Sequence, residues 1–177
     1  MSNEISVQEA DFDVGAEIAA LTADDPGAGA VASFVGLVRD MNDGSGVSEM
    51  TLEHYPGMTE KALAAIVAEA RGRWTLRAVR VIHRVGRLLP TERIVFVAVS
   101  GAHRGEAFAA CEFIMDYLKT KAPFWKREVT PDGARWVDAR EADDGAAARW
   151  DARRDRDSGV AAETPVRRGC GDSSEKQ

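Results

Sequence analysis

The sequence predicts an α+β domain, a mixed and mainly antiparallel sheet with helices packed on one side. Three observations point there. Strand-like and helix-like apolar patterns alternate through the first 150 residues in the order β-α-β-β-α-β-β-α-β-β, which favours layered sheet and helix over either alone. The run RIVFVAVSG (93–101) is apolar at successive positions, as a strand covered on both faces must be. From Asp151 the composition changes. DARRDRDSGVAAETPVRRGCGDSSEKQ holds no Leu, Ile, Met or aromatic residue, and its six basic and six acidic groups cancel. Such a segment cannot bury enough apolar surface to offset its chain entropy. The expected organisation is a folded domain over 1–150 and a charged, disordered tail over 151–177.

Each element has its own signal. Val14, Ile18 and Leu21 recur at helical spacing behind Asp13, a good N-cap. GAVASFVGLVRD (29–40) reads as a mostly buried strand, being short, apolar and β-branched. MNDGSGVS (41–48) reads as a flexible loop. VSEMTLEHY (47–55) sets Met50 and Leu52 against Glu49, Thr51 and Glu53, the alternation of a half-exposed strand. Thr59 opens a helix whose stripe is Leu63, Ile66, Val67 and Ala70. AVRVIHRVG (78–86) puts Val79, Val81, His83 and Val85 on one strand face. A third helix over roughly 104–120 buries Ala107, Cys111, Ile114 and Leu118, and Pro123 ends it. VTPDGARWV (129–137) reads as a hairpin about Pro-Asp-Gly.

Composition narrows the function. The net charge is −6, which disfavours a nucleic-acid binder. No apolar run approaches the ~20 residues of a membrane span, and the acidic start MSNEISVQEADFDV lacks the features of a signal peptide. A cytoplasmic protein is expected. Cys111 and Cys170 make no disulfide framework, and His54, His83 and His103 show no ligand spacing, so neither metal nor cofactor is expected.

Against that acidic background, cations gather locally. YLKTKAPFWKRE (117–128) carries Lys119, Lys121, Lys126 and Arg127 about a Pro-Phe-Trp break. Lys119 near a helix C-terminus complements the dipole, and Phe124 and Trp125 are ordinary core packers or the walls of a pocket. The junction SGAHRGEAF puts His103 and Arg104 at a helix start. Free N–H groups attract anions there, although Arg104 could equally pair with Glu106 at the surface. Arg39 closes a strand against a Gly-rich loop. If these cations converge, a planar heterocycle bearing a phosphate would fit among them. Spacing alone does not supply the convergence.

GAVASFVGLVRD, LEHYPGMTEKAL, HRVGRLLP, VSGAHRGEAFAACEFIMDYLKTKAPFWKRE and the following RWV together resemble the large, catalytic-subunit family of molybdopterin synthase. The resemblance covers nearly all of 1–150 and none of the tail. It implies an α/β hammerhead fold with a small β subdomain. It also implies conversion of cyclic pyranopterin monophosphate into molybdopterin. Two dithiolene sulfurs would come from the thiocarboxylated C-terminal glycine of a small ubiquitin-like subunit. By resemblance Lys119 and Lys126 are catalytic. Leu37, Val38, Arg39, His103, Arg104, Arg127 and Glu128 join them in binding the pterin phosphate. The implied assembly is a homodimer of large subunits within a heterotetramer, its pocket near the dimer interface. Two rivals fit the residues less fully: a non-catalytic docking module for a ubiquitin-like protein, and a Schiff-base lysine enzyme acting on a phosphorylated carbonyl compound.

Overall fold

The computed structural model describes residues 4–42, 45–137 and 145–150. The tail 151–177, with Cys170, lies outside the described residues. Among the described residues, two four-stranded sheets and three helices build the main layers. The first sheet runs β1 (Ile5–Gln8), β6 (Leu76–Arg84), β8 (Arg93–Gly101), β2 (Ala30–Leu37) in spatial order. β1 pairs with β6 in parallel, and the other pairings are antiparallel. The second sheet runs β10 (Gly133–Val137), β9 (Phe124–Thr130), β5 (Glu49–His54), β7 (Gly86–Leu88), all antiparallel.

Alternation along β6 and β8 divides the core. Val79, Val81, Val95, Val97 and Val99 face α2 (Met58–Arg73) and α3 (Arg104–Lys121). Ile82, Phe96 and Ala98 face the other way, beneath Val14, Ile18 and Leu21 of the short α1 (Val14–Thr22). Thus β8 is covered on both faces, while the two long helices share one side. Local chemistry sets the helix ends. Asp13 accepts from the Ala16 N–H at 2.8 Å. Glu60 reaches back to the Gly57 N–H at 2.6 Å. Buried Thr59 donates to the Tyr55 carbonyl at 3.0 Å. Pro123 follows the last turn of α3 and stops it. The segment 145–150 is helical, and Trp150 packs edge-on against Trp74 and Phe113 while donating to Asp116 at 2.7 Å. Among the described residues no helix is long and apolar enough to cross a membrane.

Two expectations need correction. The 29–40 run is not mostly buried: β2 is an edge strand, and Ala32 is its one buried residue. Its apolar side chains include surface that the single chain leaves to solvent. Nor is 41–48 simply a loop. Met41–Asn42 (β3) pairs with Ser45–Gly46 (β4), and Asn42 and Val47 are buried. The partner that buries Asn42 lies 86 residues away, so no neighbouring residue announces it.

Candidate active site

A cavity of about 720 Å³ takes most of its chemistry from three elements that come close together. The first is the end of β2. Its register with β8 jumps from Gly36↔Val95 to Leu37↔Arg93, leaving Ile94 as an extra residue. A bulge of this kind bends the strand and re-aims the next side chains along it, here Leu37, Val38 and Arg39 at the cavity wall. Val38 is then pinned by two backbone bonds, to the Glu92 carbonyl at 2.9 Å and from the Thr91 N–H at 2.8 Å. The second element is the last two turns of α3, which present Met115, Leu118 and Lys119. The third is β9, where period-two alternation sends Phe124, Lys126 and Glu128 to the cavity and Trp125 and Arg127 to the opposite face.

A polar network crosses this floor. Glu128, 2% exposed, takes both oxygens to the Asn42 amide at 2.9 Å each. The Lys126 ammonium sits 2.7 Å from Glu128 Oε1, and Arg135 lies 3.6 Å from Oε2. Arg39 donates to Asn42 Oδ1 at 3.3 Å. Burial pushes the Glu128 carboxyl pKa up, but the hydrogen bonds from Lys126 and Asn42 and the nearby positive charges outweigh it. The net result lies below the ordinary value. One buried anion thus fixes Lys126 directly and Arg39 through Asn42 at the cavity floor, and Lys119 faces the same space from the helix. Phe34, Leu37, Met115 and Phe124 supply apolar walls. Such a site can hold a flat ring against the walls and a phosphate or thiolate among the cations.

The expected site residues are therefore divided. Leu37, Val38, Arg39, Lys119, Lys126 and Glu128 line the cavity. His103, Arg104 and Arg127 do not; all three are exposed. Fifteen residues of helix separate Arg104 from Lys119, about 22 Å at 1.5 Å per residue. Asn42 and His83 were missed as site residues. Asn42 sits in a Gly-rich stretch that reads as a flexible loop, and His83 among valines on a strand face, where nothing local marks a cavity.

Residues 7–121 match the family model described as "MoaE protein". The chain is 72% identical over 144 residues to the molybdopterin synthase catalytic subunit of Ralstonia nicotianae, covering 81% of this chain and 82% of that one. It is 62% identical over 136 residues to the protein of that name from Escherichia coli, covering 77% and 90%. Among solved structures, the molybdopterin biosynthesis MoaE protein from Burkholderia ambifaria superposes with a TM-score of 0.72 at 62% identity, over 83% of this chain and 97% of that one. Molybdopterin synthase from Staphylococcus aureus gives 0.72 at 28% identity, over 78% and 99%.

Proposed function

The chain belongs to the MoaE family, and we propose that it is the catalytic subunit of a molybdopterin synthase. It converts cyclic pyranopterin monophosphate into molybdopterin, taking two dithiolene sulfurs from the C-terminal thiocarboxylate of a small ubiquitin-like carrier. The observation that carries this reading is the meeting of Arg39, Lys119 and Lys126, from three different elements, on one apolar-walled cavity. Both reactants are anionic, and Cys111, the cysteine among the described residues, does not line that cavity, so sulfur supplied by an external carrier suits the site.

In each transfer the thiocarboxylate sulfur bonds to a pterin side-chain carbon as a C–O bond at that carbon breaks, the oxygen leaving with the opening phosphate or as water, and a thioester links carrier to substrate. Water then cleaves the acyl–sulfur bond. The sulfur stays on the substrate, and the carrier leaves as a carboxylate. Lys119 moves the protons as general acid and base, or briefly captures the acyl group. Lys126, anchored by Glu128, faces the negative charge that develops on the thiolates and the opening phosphate. Arg39 holds the phosphate, with His103 and Arg104 brought from a second copy; Arg127 lies on the outer face of β9. The cytoplasm is the proposed compartment, because thiocarboxylates and free thiolates need reducing surroundings.

Reconstitution tests the reading. The chain, the pterin precursor and thiocarboxylated carrier should together yield the dithiolene product. Lys119→Ala should lower the rate by roughly 10²–10⁴-fold, the worth of a positioned acid-base group, while the carrier still binds. Failure of the wild-type mixture to form product would leave a docking module. Undiminished turnover by Lys119→Ala would remove the role given to that lysine.

A further inference from the structure

His83 lines the same cavity and has no part in the chemistry above. It sits in β6, paired in register with Val7 on one side and Val95 on the other, and only 5% of it is exposed. Its ring stacks on Phe124 with centroids 3.7 Å apart and planes 16° from parallel. Nδ1 lies 2.8 Å from the Arg84 carbonyl oxygen. A carbonyl only accepts, so Nδ1 must carry the proton. Arg84 is itself tied to the Glu9 and Arg93 carbonyls, each at 3.0 Å, which fixes the peptide that His83 bonds.

The tautomer decides what the other nitrogen can do. Burial pushes the His83 pKa down to about 4, with the neighbouring His54 adding to the effect and the Arg84 bond only partly opposing it. The ring is therefore neutral at physiological pH, and Nε2 is a bare acceptor. Among the described residues the side-chain nitrogen or oxygen sealed from solvent without a hydrogen bond is His54 Nδ1. Among the described residues His83 Nε2 has no hydrogen-bond partner, and His83 lines the cavity, the space from which a donor can reach it.

We propose that His83 Nε2 is a fixed, neutral hydrogen-bond acceptor that reads a ring N–H or amino donor of the substrate's nitrogen heterocycle. The assignment rests on the functional reading given above. A lone pair cannot serve a phosphate, which is itself an acceptor, so His83 marks the ring end of the cavity. Arg39, Lys119 and Lys126 mark the anion end. Phe124, stacked on His83, lines the same cavity. A ring lacking the donor would leave Nε2 unpaired in a site sheltered from water, and this is how buried polar groups reject near-isosteres.

His83→Phe keeps a ring for the Phe124 stack and removes the acceptor. The expected result is roughly a ten-fold rise in Kd and KM for cyclic pyranopterin monophosphate with kcat little changed, the scale of one lost neutral hydrogen bond. His83→Gln, which places an amide oxygen near the Nε2 position, should recover most of that loss. A second measurement needs no variant: the imidazole ¹⁵N resonances of the wild-type chain. Nε2 should resonate as an unprotonated nitrogen and shift toward the hydrogen-bonded range on pterin binding. Wild-type binding with an unmoved Nε2 resonance, or with His83→Phe binding as tightly, overturns the assignment alone. A wild-type chain that neither binds nor converts the pterin overturns the functional reading, and this assignment with it.

Discussion

At the scale of single residues, Glu128 decides how the cavity is held together. It is a buried carboxylate with the Asn42 amide and the Lys126 ammonium as close partners, and Arg135 at a longer range. Glutamine there keeps one acceptor oxygen but turns an NH2 donor toward the buried Asn42 amide or the half-buried Lys126 ammonium. Glu128→Gln should therefore cost about 1–3 kcal/mol at pH 7, read as a lower urea midpoint at unchanged m. The effect has a pH signature. The folded pKa lies below the ordinary 4.5, so this stabilisation is fully present above that value and is lost as pH falls through the lower folded value. The wild-type chain should lose stability more steeply than Glu128→Gln as pH drops below about 4.5, and parallel acid limbs would refute the pairing. Sequence placed Glu128 beside Lys126 in the chain. It did not place Asn42 opposite both, because contacts across 86 residues leave no local pattern.

At the scale of elements, β2 connects the two regions where cations gather. Its first residue, Ala30, pairs with Gly101 just ahead of α3, and its last, Leu37, opens onto the cavity. The start of the strand is set by a close approach. A Cβ on Gly29 would lie 2.3 Å from the Ala102 carbonyl oxygen, a backbone atom with little room to yield. Gly29→Ala should cost roughly 1–3 kcal/mol through overpacking, seen as a lower Tm with the fold retained. An unchanged Tm would mean that the junction is looser than this close approach implies. Long-period signals made most elements legible in sequence: the α2 and α3 stripes, the doubly buried β8, and Asp13 as a cap all follow from side-chain periodicity and local bonding. The edge position of β2 did not, because an apolar run reads the same whether a sheet or a second molecule covers it. The bulge at Gly36–Leu37 was equally silent, since it arises from pairing between distant strands.

At the scale of the whole molecule, the pocket roles proposed for His103 and Arg104 would require a second copy. One chain holds them about 22 Å along α3 from Lys119, at the opposite end of an open sheet edge on which Val31, Phe34 and Leu37 are exposed. β2 spans eight residues, about 26 Å. A two-fold axis near its midpoint would lay two such edges antiparallel and bring the Ala30 end of one copy against the Leu37 end of the other. His103 and Arg104 of each copy would then approach Arg39 of its neighbour. Subunit complementation tests this directly. Lys119→Ala and Arg104→Ala, each inactive or nearly so as a homodimer, are co-expressed with different tags, and the mixed dimer is purified. If Arg104 serves its neighbour's cavity, one of the two sites in the mixed dimer keeps both residues and the other lacks both. Roughly half of the wild-type activity should return. If Arg104 acts within its own chain, each site of the mixed dimer carries one lesion and none is intact. Activity no higher than that of the two homodimers would thus exclude the shared pocket, whatever the oligomeric state in solution.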